Sequence, residues 1–167
     1  MADESLDLAD FILAHDLEAR LIAPGVPMPT VNAAASAMGV AAEQIFKSIL
    51  FQSPAGRCVL VVACGNARVN VKRVEAQTGI FGLKLAKPDT VFARTGYPAG
   101  GTPPVGHREC FPAIVDTRVA AQEWGYAGGG RVELLVRIRS ADIIRLAGAA
   151  VADVTMNDQI PMERYDQ

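Results

Sequence analysis

Apolar residues near the start of the chain recur at helical spacing. Leu6, Leu8, Ala9, Ile12 and Leu13 form one stripe between Ser5 and His15, with Ser5 placed to cap a helix. Pro24, Gly25, Pro27 and Pro29 then exclude helix from the connector. Thr30 is the expected cap of a second helix, Val31 to Met38, stopped by Gly39, and a short third helix is expected from Ala41 to Phe46. The pattern changes at Ser48 to Phe51 and Cys58 to Ala63. These are two short apolar runs around Gln-Ser-Pro-Ala-Gly-Arg, which predicts a hairpin. Asn70 caps a predicted helix through Gln77 that Gly79 stops, and another runs from Asp89 to Thr95 up to Gly96.

Gly96 to Gly106 holds four glycines and three prolines in eleven residues, too irregular for a helix or strand, and is read as a shaped loop. Beyond it the pattern predicts a strand at Ala113 to Val115, a helical turn within Arg118 to Trp124, and a tight turn at Gly128-Gly129-Gly130. A central strand at Val132 to Ile138, a Ser140-capped helix Ala141 to Leu146 and a last strand at Val151 to Val154 follow. The polar tail from Asn157 to Gln167 is expected to fray. Short strands interrupted by helices, with no repeat, imply one compact α+β domain over residues 1–167 built on a mixed sheet.

Composition narrows the possibilities. The chain has 167 residues, half of them hydrophobic, which suits one folded core. No apolar run nears the roughly 20 residues that span a bilayer, and the acidic Met1 to Asp10 lacks the positive start of a secretory signal. Cys58, Cys64 and Cys110 are an odd number. The first two share a predicted strand about 20 Å apart, too far to bridge. With two histidines and no CxxC, no metal site and no cofactor are expected, and the compartment reads as reducing and cytoplasmic. Net charge is −2, but Ile45 to Cys110 carries nine Lys/Arg against three acids, hence +6. This basic middle either solvates helix faces or meets phosphates. If it meets phosphates, Lys72 and Arg73 should matter more than Arg137 and Arg139.

Few residues stand out chemically. Lys47 interrupts Ile45-Phe46 and Ile49-Leu50-Phe51, where burying an ammonium is costly. Either it snorkels to the surface, or it faces a cleft and meets an anion or a developing oxyanion. Gly100-Gly101-Thr102-Pro103-Pro104-Val105-Gly106-His107 combines glycines that allow close backbone approach with prolines that fix the path. It is neither a Walker A loop nor a dinucleotide fingerprint, and a purely structural Ω-loop has the same composition. His107 and Cys110 lack a third member for thiol catalysis, so His107 reads as a loop anchor and the cysteines as inert residues in apolar surroundings. Asp116 is a turn or cap residue, or a carboxylate that positions the loop. Trp124 and Tyr126 either pack in the core or stack on a base.

Taken in order, these segments resemble the YbaK/EbsC family, relatives of the editing domain inserted in bacterial prolyl-tRNA synthetases. The resemblance rests on Phe46-Lys47-Ser48-Ile49-Leu50-Phe51 and on Thr95-Gly96-Tyr97 followed by the loop whose Gly100 and Pro104 occupy the GxxxP positions. Val115-Asp116 and Gly128 to Gly130 resemble later landmarks, and the match runs from about residue 5 to residue 154. It implies a curved, partly barrel-like mixed sheet surrounded by helices, and hydrolysis of a small mischarged amino acid (cysteine, alanine, serine, threonine or similar) from tRNA, mostly tRNA for proline. Lys47, Gly100 and Gly101 become the expected catalytic residues. Thr102, Pro103, Pro104, Gly106, His107 and Asp116 become the expected substrate-binding residues. The expected partners are the 3′ acceptor end of mischarged tRNA and a prolyl-tRNA synthetase, without membrane or DNA. No covalent enzyme intermediate is expected. The alternative is a non-catalytic module of the same fold that binds tRNA or a synthetase.

Overall fold

A computed structural model describes residues 4–156, so the predicted tail lies outside the described residues. Its core is organised by strand β3 (Cys58–Cys64), in which all seven residues are buried. A strand covered on both faces reads as a continuous apolar run, and Cys-Val-Leu-Val-Val-Ala-Cys is one. β3 pairs antiparallel with β2 (Phe46–Gln52) and parallel with β6 (Ala113–Asp116), which pairs parallel with β9 (Ala150–Ala152). β5 (Lys84–Leu85) pairs only with Phe51 and Gln52 of β2, completing the order β5-β2-β3-β6-β9. β1 (Arg20–Ile22), β7 (Trp124–Gly128) and β8 (Leu135–Arg139) form an antiparallel sheet in the order β1-β8-β7. β4 (Arg68–Val69) pairs with β10 (Thr155–Met156).

The α+β class and the mixed sheet match the reading from sequence. The strands are divided among three sheets. A parallel bridge between Ile45 and Tyr126 joins the start of β2 to β7, and no closed barrel forms among the described residues. Alternation along β3 feeds two cores. Leu60 and Val62 meet Ala127, Val136 and Ile138 of the smaller sheet, with Leu8 and Ile143. Val59 and Val61 meet Val74, Ile80 and Leu83 on the opposite face. The smaller sheet thus lies across one face of the larger. Gly125 permits this, because a Cβ there would sit 2.1 Å from the Phe46 ring.

The helices are α1 (Leu8–Ala14), α2 (Val31–Met38), α3 (Val71–Thr78), α4 (Pro88–Thr95), α5 (Thr117–Ala120) and α6 (Ser140–Ala147). Thr30 and Asn70 cap α2 and α3 through their side chains, and Gly39, Gly79 and Gly96 end α2, α3 and α4 in left-handed geometry, as expected. Other boundaries moved. Asp7, not Ser5, caps α1, its side chain accepting from Ala9 N–H. The expected third helix is a 3₁₀ turn at Ala42–Gln44, because Phe46 is already drawn into pairing with Cys64. The predicted helical turn ends at Ala120, and Trp124 opens a strand that its local sequence did not signal. Ser140 lies inside α6, its hydroxyl donating to the Gln122 carbonyl.

Candidate active site

Lys47 sits in β2 at register with Ala63. It is half-buried, and its Nζ donates to the Ala67 carbonyl in the turn after β3 at 2.7 Å. The lysine therefore does not extend freely into solvent. It lines a cleft of about 210 Å³ whose other walls come from distant segments. Met28, Pro29, Thr30, Val31 and Ala34 close one side, Ala99, Gly100 and Thr102 the second, and Gly128, Val132, Leu134 and Leu135 the third. Among the described residues that line it, Lys47 is the one charged side chain. A largely apolar cleft whose one charged side chain among the described lining residues is a lysine favours a ligand that is anionic or develops negative charge.

The loop wall is rigid for identifiable reasons. Gly101 N–H and the Thr102 hydroxyl both donate to the Pro98 carbonyl, at 2.9 and 2.8 Å, closing a 3₁₀ turn over Ala99–Gly101. Gly130 N–H donates to the Gly101 carbonyl at 2.8 Å. Cβ atoms added at Gly101 and Gly128 would lie 2.5 Å from the Arg131 carbonyl carbon and 2.4 Å from the Thr102 carbonyl oxygen. Gly128 to Gly130 is therefore more than a turn between strands, since it lets the proline-rich loop pack directly on the β7–β8 connection. Gly100, by contrast, faces the cleft, and a Cβ there would meet only Val132 Cγ1 at 3.1 Å.

Of the residues singled out from sequence, the structure brings Lys47, Gly100 and Thr102 together at the cleft, with Gly101 buried in the same loop. Pro103 and Pro104 are buried farther along the loop and, like Gly106, are not lining residues of this cleft. His107 donates from Nε2 to the Pro103 carbonyl at 2.7 Å, closing the loop on itself. Burial holds its pKa below the usual histidine value despite that bond. It lines a separate cavity of about 160 Å³ with Val105, Gly106 and Cys110. Asp116 is 0% exposed and accepts from Arg118 N–H, Val154 N–H and the Thr155 hydroxyl, which ties β6, α5 and β10 together away from the cleft. Cys110 is exposed, contrary to the apolar setting expected of it. Burial raises the thiol pKa of Cys58 and of Cys64.

Ser48 was passed over in the sequence. Its Oγ is buried, lacks a hydrogen-bond partner among the described residues, and belongs to a cleft-lining residue. The Ile45 carbonyl accepts from Gly65 N–H and the Leu50 carbonyl accepts from Ala86 N–H, both at 2.9 Å. By antiparallel alternation the odd residues of β2 bond β3, and Ser48 turns its peptide groups to the other edge, which β5 does not reach. A hydroxyl next to the singled-out lysine, inside an apolar run, was a readable signal.

This geometry can be set beside known proteins. The profile of the aminoacyl-tRNA editing domain matches residues 26–146. The chain belongs to that family. The crystal structure of hypothetical protein APE2540 superposes with a TM-score of 0.82 at 32% identity, covering 89% of this chain and 99% of that one. A crystal structure of a candidate trans-editing enzyme for prolyl tRNA synthetase superposes at 0.74 with 30% identity, covering 83% of this chain and 87% of that one. A proline–tRNA ligase of Nitratidesulfovibrio vulgaris (strain DP4) is 28% identical over 135 residues, 78% of this chain. The chain spans 48% and 23% of the first two curated relatives it matches. No helix among the described residues is long and apolar enough to cross a membrane.

Proposed function

We propose that this chain is a trans-editing deacylase that hydrolyses a small, wrongly attached amino acid from the 3′ end of tRNA, with tRNA for proline as the favoured substrate. The observation that carries the reading is the single cleft shared by Lys47 and Gly100, lined mostly by apolar residues and glycines. Its volume of about 210 Å³ equals roughly seven waters at ~30 Å³ each. That is room for a small aminoacyl group and a hydrolytic water, with the nucleoside outside. A synthetase separates similar side chains by only about 1–3 kcal/mol per methylene, so a second site that admits only small ones improves fidelity.

In the proposed reaction, water adds to the ester carbonyl and the terminal ribose oxygen leaves with the amino acid's carboxyl carbon freed as the acid. Negative charge develops on the carbonyl oxygen. Lys47 and the N–H groups of the Gly100–Thr102 loop other than that of Gly101, which the Pro98 carbonyl holds, stabilise it, preorganised by the Ala67 contact and the Pro98 turn. The free hydroxyl of the terminal ribose beside the ester, or the substrate's own amine or thiol, relays the proton from the attacking water to the departing ribose oxygen, and no covalent enzyme intermediate is formed. The enzyme works in the cytoplasm beside the synthetases.

The test is a deacylation panel of cysteine, alanine, serine, threonine and proline, each on tRNA for proline. Hydrolysis of at least one small residue is expected, and Lys47→Ala should lower its rate on the order of 10²–10³-fold while circular dichroism is unchanged. Wild-type protein inert toward all five, or wild-type turnover by Lys47→Ala, would overturn the reading.

A further inference from the structure

The outer face of the β1-β8-β7 sheet carries side chains that the cleft does not use. Register places Arg20, Arg137 and Tyr126 in one row across the three strands, and Arg139 beside Trp124 in a neighbouring row. The guanidinium of Arg137 lies 4.0 Å from the centre of the Trp124 ring and that of Arg139 lies 4.3 Å from it. Trp124 is thus not a core residue, whereas Tyr126 packs in part against the cluster of Ala34, Ala35, Ile45 and Leu135. Both rings are half-exposed, as are both arginines on β8, and Arg20 is exposed. Arg139 is paired with Glu18 and Glu123. Among the described residues, neither Arg20 nor Arg137 has a carboxylate within ion-pair distance.

Like charges directly opposite each other on a sheet are destabilising. Arg20 and Arg137 are direct partners, so this pairing works against folding, and the stacking of Arg137 on Trp124 does not account for Arg20. The face is also continuous with the cleft. Leu135 lines the cleft, and Arg137 and Arg139 follow on the same face of β8 at steps of about 6.8 Å, the scale of one nucleotide in an extended strand. Cations interleaved with aromatic rings on a sheet are the chemistry that holds a single strand, by phosphate contact and base stacking. Meanwhile the basic middle of the sequence is partly spent. Arg73 pairs with Asp153 and Arg94 with Glu109, while Arg108 bonds the carbonyls of Ala93 and Glu4.

We propose that this sheet face is the platform for the single-stranded acceptor end of the tRNA, with Arg20 and Arg137 on phosphates and a base against the exposed side of Tyr126. The proposal rests on the editing reading above, because the cleft gives the strand its terminus. Arg20→Glu is the informative change. It turns a repulsive cross-strand pair into an attractive one, so the melting temperature should hold or rise, while both phosphate contacts are neutralised.

The assay is fluorescence-anisotropy binding of uncharged tRNA to the full chain across a salt series. Hydrolysis of an aminoacyl ester of adenosine, which has no acceptor strand, is measured alongside. Wild type should bind with salt dependence. Arg20→Glu should weaken binding and flatten the log–log salt slope by about 1.4, at 0.7 per single-strand phosphate, yet hydrolyse the adenosine ester at the wild-type rate. Lys72→Glu with Arg73→Glu should weaken binding less. Unchanged tRNA affinity in Arg20→Glu, or no salt-dependent RNA affinity in wild type (which would leave the face to an acidic protein), would overturn the platform. Failure of wild type on the adenosine ester and the tRNA panel alike would instead strike the editing reading.

Discussion

Gly100 and Gly101 are neighbours in one loop, yet the structure assigns them opposite sensitivities. A methyl group at Gly101 would lie 2.5 Å from the Arg131 carbonyl carbon and 2.7 Å from its oxygen, whereas ordinary contact begins near 3.4 Å. The obstacle is backbone, so the two loops must separate by about 1 Å. Overpacking of this kind costs about 1–3 kcal/mol. Weakening the Gly130 N–H to Gly101 carbonyl bond, now 2.8 Å, adds about 0.5–1.5 kcal/mol. Gly101→Ala should therefore lose about 2–4 kcal/mol, a fall in melting temperature of roughly 4–16 °C at 2–4 °C per kcal/mol. At Gly100 the obstacle is only Val132 Cγ1 at 3.1 Å, on a side chain 58% exposed that can move aside. Gly100→Ala should cost under about 1 kcal/mol but narrow the cleft. The assay pairs thermal unfolding with single-turnover deacylation at saturating enzyme. Gly101→Ala should be unstable, and Gly100→Ala stable but slowed. Gly101→Ala melting with the wild type would refute the claimed packing. Gly100→Ala reacting at the wild-type rate would show that this glycine only turns the chain.

Three further outcomes follow from the geometry. Asp116→Ala strands two backbone N–H groups and the Thr155 hydroxyl, so urea unfolding should show a loss on the order of 3 kcal/mol, while deacylation per folded molecule stays at the wild-type level. His107, held below its unfolded value by burial, binds fewer protons folded than unfolded, so its contribution to stability is intact above about pH 6.5 and is lost as pH falls through the lower folded value. Denaturant titrations of wild type and His107→Gln should diverge between pH 7 and 5, and parallel curves would show that His107 is not the group responsible. Ser48→Ala removes an unpartnered buried hydroxyl, so stability should hold or rise; a positioning role for that hydroxyl requires slower single-turnover hydrolysis, and an unchanged rate would exclude it.

Local chemistry and apolar periodicity determined much of this protein from the chain alone. Thr30 and Asn70 cap helices wherever such side chains precede an amphipathic run, and Gly39 and Gly79 end them because only glycine enters the left-handed region without cost. The apolar run at Cys58 to Ala63 announced a strand, which the structure buries on both faces. Lys47 stood out because an ammonium inside an apolar run requires a partner or a cleft. What only the tertiary structure decided was which distant segments meet. The family resemblance grouped Lys47 with the Gly100 loop, but nothing near Thr102 in sequence announces that Met28 and Leu135 will share its cleft. The short strands β1, β4 and β5 escaped because two or three residues carry no period, and their pairing energy comes from partners far along the chain. Trp124 and Asp116 show the same limit in opposite directions. The ring expected in the core faces outward beneath arginines, and the carboxylate open to a site role is buried as a knot among three elements. Burial belongs to the packing of sheets against each other, which no local window contains.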